Sequence, residues 1–205
     1  MLPSELPQLE DYPNLKYVLA NQVDMLFVDL RCLLKAPLPG CTSGFNLSIA
    51  SLLLNIISGF SRRLYRPANS KKDGDRFKDM LVSYFPWENP NLMPMDGAEL
   101  LYHSLRNPLT HELGIKGRDK VVVSTNGILT DCDIQELENS EVKPPYISCP
   151  VTHLNLYKNY FEWHVSVPSM YWATHRLLHN LINDHVNSQA TEKRMKKLLL
   201  KVSSK

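Results

Sequence analysis

Apolar positions along the chain change their period about halfway. Leu15, Val18, Leu19, Met25, Leu26, Leu30 and Leu33 recur every three or four residues, the spacing of a helix with one buried face. This predicts one amphipathic helix over residues 13 to 36 that stops before Pro37, with Pro37, Pro39 and Gly40 forming a loop. Asn46 stands where an N-cap belongs, with Phe45 and Ala50 placed as a hydrophobic staple. Residues 47 to 64 are apolar on nearly every side, which predicts a central helix. A shorter helix is expected over 73 to 85, ended by Pro86. Asp96-Gly97-Ala98-Glu99 has the spacing of a capping box and should open a fourth helix through Leu100, Leu101 and Leu105. Asn107-Pro108 reads as an N-cap followed by proline at the first helical position, so a fresh turn is expected there.

Beyond Gly114 the pattern becomes strand-like. Val121-Val122-Val123-Ser124-Thr125 and Ile128-Leu129-Thr130 flank Asn126-Gly127, a two-residue hairpin signal. Further short strands are expected over 147 to 153 and 161 to 167. Residues 168 to 186 return to helical spacing, with Met170, Ala173, Leu177, Leu178, Leu181 and Ile182 on the inner face. The basic tail should form a last helix that frays. The expected fold class is therefore mainly α, a helical bundle in one domain over residues 1–205, with a small antiparallel β-sheet inserted at about 118–167.

Composition adds bounds rather than a function. Hydrophobic residues make up 43% and charged residues 21%, the balance of a globular chain that folds unaided. No apolar run is long enough to span a bilayer and no signal-peptide pattern opens the chain, so a cytoplasmic protein without a membrane partner is expected. Cys32, Cys41, Cys132 and Cys149 contain no C-x-x-C pair, and reduced, mostly buried thiols are expected. A net charge of +2 hides an uneven distribution. Arg62, Arg63, Arg66, Lys71, Lys72, Arg76 and Lys78 form one basic run, and Lys193, Arg194, Lys196, Lys197, Lys201 and Lys205 form another. Between them Asp131, Asp133, Glu136, Glu138 and Glu141 form an acidic stretch, expected as a solvated face.

Several chemistries are excluded by spacing. There is no phosphate-cradling glycine motif, and Ser58-Gly59-Phe60-Ser61 is not a nucleophile elbow. His111-Glu112 begins a zinc-protease pattern, but Ile115 replaces its second histidine. His175 and His179 have a spacing that can place two imidazoles on one metal. Their helical angle instead puts them at or beyond the edge of the apolar face, as solvated histidines, while His185 projects inward.

Arg106-Asn107-Pro108-Leu109-Thr110-His111 resembles the signature of HEPN domains, in which an arginine followed by a polar residue precedes a histidine by several positions. The resemblance covers roughly residues 12 to 115, and the expected sheet lies outside it. It implies a HEPN-like bundle, dimeric through apposed motifs, acting as a metal-independent endoribonuclease and serving as a toxin or antiviral defence effector with an antitoxin partner. Arg106 would stabilise the phosphate, His111 would serve as general acid and base, and Asn107 would either orient them or simply cap a helix. A histidine can exchange a proton near neutral pH and a guanidinium can stabilise charge developing on phosphorus, so RNA cleavage by the ribose 2'-OH would need no cofactor. Arg62, Arg63, Arg66, Lys71, Lys72 and Arg76 would attract RNA phosphates if they lie beside the motif, with Tyr65, Phe77, Tyr84 and Trp87 as base-stacking or core residues. The alternatives are a non-catalytic HEPN-like interaction or nucleotide-binding module and, more distantly, a metal-assisted enzyme using His175 and His179.

Overall fold

The structure is a computed structural model and describes residues 3–36, 45–65, 72–111, 120–125, 129–157 and 160–186, with Glu192, Lys193, Met195 and Lys196. It is mainly helical with a small sheet. Two short 3-10 turns, Pro3–Glu5 and Pro7–Leu9, lead into α1 (Pro13–Val18), which continues through a π-helical segment, Leu19–Asp24, into α2 (Met25–Lys35). A π turn holds more residues than an α turn and re-phases the face that follows. The buried stripe accordingly runs through Leu15, Val18, Leu19, Val23, Phe27, Leu30 and Leu34, whereas Met25, expected inside, is exposed. Asp24 ends the π segment in a buried position, where its carboxylate accepts hydrogen bonds from the backbone N–H and hydroxyl of Ser4. Burial is the main cause that raises its pKa.

Helix α3 (Asn46–Arg63) is central, with Leu53, Leu54 and Ile57 almost fully buried. Asn46 begins the helix rather than capping it, and Phe45 holds the cap position. The Asn46 amide instead donates to the Val123 carbonyl at 3.4 Å, tying α3 to the sheet. Helix α4 (Asp73–Tyr84) follows, then α5 (Pro94–Leu100), a second π segment (Leu101–Arg106) and α6 (Asn107–His111). Pro94 at the first turn starts α5, and the Glu99 carboxylate of the expected capping box pairs with Lys78 at 2.7 Å. Asn107 has helical angles, φ −66° and ψ −49°, so the chain continues through it without a fresh start. Pro108 has no N–H and its ring crowds the preceding turn, a demand that a wide π turn immediately upstream relieves.

The sheet is mixed, not purely antiparallel. Strands β1 (Lys120–Ser124), β2 (Val151–Tyr157) and β3 (Tyr160–Ser166) lie in the order β1-β3-β2. β1 pairs with β3 in parallel, and β2 with β3 antiparallel with an irregularity between His153 and Asn155. Parallel pairing requires a crossover, and the chain between β1 and β3 supplies α7 (Asp131–Asn139) and β2. The Asn126-Gly127 turn lies outside the described residues. Thr130, expected in a strand, is the N-cap of α7 in a capping box with Asp133.

The acidic stretch is thus a helix with one buried carboxylate rather than a wholly solvated face. Glu138 is 3% exposed and accepts from Arg31 Nε and Nη2, both at 2.6 Å, and from the Tyr171 hydroxyl at 2.6 Å. This pairing raises the Arg31 pKa, and burial raises that of Tyr171. The bonds fasten α7 to α2 and to α8 (Val167–Val186), where Met170, Ala173, Leu177, Leu178, Leu181 and Ile182 all face the core. One apolar cluster extends from Leu6 through every helical layer to Met195 in the tail. Among the described residues no helix is long and apolar enough to cross a membrane. Cys32 and Cys132 are exposed free thiols, which corrects the expectation of buried ones.

Candidate functional site

The second π segment and α6 pack against α3, and this contact positions Arg106. Its Nη1 donates to Asn107 Oδ1 at 2.8 Å and its Nη2 to Ser58 Oγ, on α3, at 3.3 Å. The guanidinium stacks over the Tyr102 ring at 5.7 Å from the centroid, close enough for a cation–π attraction. The result is a half-buried arginine aimed by three neighbours. The N-cap reading of Asn107 fails because the helix runs through it, and its side chain serves Arg106 instead. His111 is the last residue of α6, and its side chain lies outside the described part of the molecule.

Tyr102 connects this arginine to the basic run. Its ring also lies under Lys78 Nζ, 5.9 Å from the centroid, and its hydroxyl packs onto Gly74, where any side chain would collide with it. Gly74 belongs to the first turn of α4, between Asp73 and Arg76. Asp73 bridges two arginines, Arg62 of α3 at 2.7 Å and Arg76 of its own helix. Glu99 is shared by Lys78 at 2.7 Å and His103 at 3.0 Å. The Lys78 bond is the main cause of the lowered Glu99 pKa and of the raised Lys78 pKa. Lys78 and Arg106 therefore lie over Tyr102, and Arg62 and Arg76 meet at Asp73, next to the Gly74 that the Tyr102 hydroxyl touches.

Other expected site residues are placed elsewhere. Arg63 is exposed and lines an apolar crevice of about 180 Å³ with Leu15, Leu19, Phe60 and Met195, away from Asp73 and its arginines. Lys72 is exposed at the N-cap position of α4. Arg66 and Lys71 lie outside the described residues. Tyr65 and Phe77 are buried, while Trp87 is partly buried and donates its indole N–H to the Leu81 carbonyl at 2.8 Å, so these aromatics build the core. Tyr102 and Ser58 are the participants that sequence reasoning missed. Tyr102 precedes Arg106 by four positions, a helical spacing that brings a ring under a guanidinium and was available as a signal. Ser58 had none, because only the packing of α3 brings it there.

His175 is fully buried rather than solvated, with ring contacts to Phe27 at 4.6 Å and His179 at 5.4 Å between centroids. Burial, ahead of the neighbouring charges, holds its pKa well below the usual histidine value. Among the described residues no group of three His, Cys, Asp or Glu is placed to hold a metal ion.

No family model, no curated protein and no solved structure matches the chain.

Proposed function

We propose that this chain is a HEPN-like, metal-independent endoribonuclease centred on Arg106 and His111. The observation that carries the reading is the aimed Arg106 guanidinium, held by Asn107 and Ser58 over Tyr102 with Arg62, Arg76 and Lys78 on the adjoining helices. The Arg62–Asp73 pair is about half exposed, and such pairs are worth roughly 0–1 kcal/mol, so an RNA phosphate can take the place of the carboxylate at small cost. Arg106 would stabilise charge on the phosphate and His111 would move the proton of the attacking 2'-OH. Five positions separate the two, which on a regular α-helix would be about 140°. That separation supports a homodimer in which one copy's arginine meets its partner's histidine. A cytoplasmic toxin or antiviral defence effector restrained by an antitoxin protein is the role such an activity fits.

The test is cleavage of a mixed-sequence RNA in EDTA by wild-type protein and by His111→Ala, with analysis of the ends. The proposal expects 2',3'-cyclic phosphate ends from the wild type and a loss of at least about 100-fold in the variant. Cleavage that EDTA abolishes contradicts it. The second reading, a non-catalytic interaction or nucleotide-binding module, is favoured by the same three contacts on Arg106, which engage both of its terminal nitrogens within the protein. It expects no cleavage by either.

A further inference from the structure

Helix α8 carries a polar stripe opposite its apolar one. Arg176, His179, Asn180 and Asn183 recur at i, i+3, i+4 and i+7 and line a groove of about 580 Å³. Its other walls are Leu6 and Pro7 near the N-terminus, Pro86 after α4, Glu138 and Asn139 at the end of α7, and Glu141 beyond it. The volume falls in the range of roughly 300–1,000 Å³ typical of small-molecule sites. Ser58, Tyr102, Arg106 and Asn107 do not line it.

The groove holds the Glu141 carboxylate as well as the Arg176 guanidinium, but the two form no ion pair. The Glu138 carboxylate is taken by Arg31 and Tyr171, so towards Arg176 it offers its backbone carbonyl, which accepts from Nη2 at 2.8 Å. Among the described residues Arg176 Nε is buried without a hydrogen-bond partner, and no carboxylate lies within ion-pair distance of the guanidinium. Burial lowers the Arg176 pKa, opposed only by the charge of Glu141. A partly desolvated cation with one neutral acceptor is an energetic cost that an anion would offset. Around it Asn139, Asn180 and Asn183 supply amides able both to donate and to accept.

We propose that this groove binds a small phosphate monoester, its oxyanion on Arg176 and its polar body against the α8 asparagines and His179. Guanidinium forks match phosphate oxygens, and a groove rich in amides suits a hydrogen-bonding body rather than an apolar one. The site is independent of RNA cleavage.

Isothermal titration of the full chain with AMP, adenosine, glucose 6-phosphate and glucose tests it. The expected result is saturable binding of at least one phosphorylated compound, with a Kd near or below about 1 mM, and none of its unphosphorylated counterpart. Asn180 is exposed, so Asn180→Asp should leave the melting temperature unchanged while weakening binding about tenfold or more by placing a carboxylate in the groove. Arg176→Gln should abolish binding, and Arg106→Ala should leave it intact. Binding by neither phosphorylated compound, equal binding of AMP and adenosine, or equal affinity in Asn180→Asp overturns the proposal.

Discussion

His175 shows how much one side chain's surroundings decide. Its ring lies between Phe27, Tyr171 and His179, with both nitrogens buried and lacking hydrogen-bond partners among the described residues. Arg31 and Arg176 add positive potential. The folded state therefore keeps the ring neutral while the unfolded chain protonates it near pH 6.5. Unfolded protein binds the extra proton, so stability is full above that value and falls as pH drops below it, by up to about 1.4 kcal/mol per pH unit. Asp24 has the opposite sign, since its pKa, raised mainly by burial, lets the folded state take a proton first. Denaturant melts from pH 7.5 to 5 should show this loss in the wild type and a flatter profile in His175→Phe. Equal slopes would contradict the assignment. The sequence placed this histidine on the wrong side because counting from the apolar stripe puts it at the edge, whereas rings from α2 and α8 close over it.

Elements are best read where local chemistry and packing agree. Helices α3, α4 and α8 were legible from apolar period and flanking prolines, within a residue or two of their ends. The π segments were not, because they leave helical spacing intact to the eye while shifting its phase; Met25, expected inside, is exposed as a result. The β1 partner was misread for a different reason. An Asn-Gly pair is a local hairpin signal, but a parallel partner lies across a crossover that no local pattern announces. The tail supplies another non-local contact. The Glu192 carboxylate accepts from the backbone N–H of Asn14 at 3.0 Å and of Leu15 at 3.2 Å, capping α1 from the far end of the chain while Met195 enters the core. Glu192→Ala should cost about 1–2 kcal/mol, a fall of roughly 2–8 °C in Tm for a chain of this size, and should speed hydrogen exchange at Lys196. An unchanged Tm and exchange rate would mean the carboxylate does not hold the tail.

At the scale of the whole molecule, the bundle brings together parts of the chain that the sequence shows only as separate runs. The motif was legible at Arg106 and Asn107, but the Asp73 bridge to Arg62 and Arg76, the Tyr102 platform and the Ser58 contact emerge only when α3, α4 and the π segment pack. The same packing separates Arg63 from Arg62, neighbours in sequence about 100° apart on the helix. The most direct measurement is single-turnover RNA cleavage in EDTA by wild-type and Arg106→Ala protein, with a thermal melt of each. The nuclease account predicts cleavage by the wild type, a loss of about 100-fold or more in the variant, and a Tm within a few degrees. No cleavage by the wild type, together with a large fall in Tm for Arg106→Ala, would contradict it and make Arg106 a structural brace.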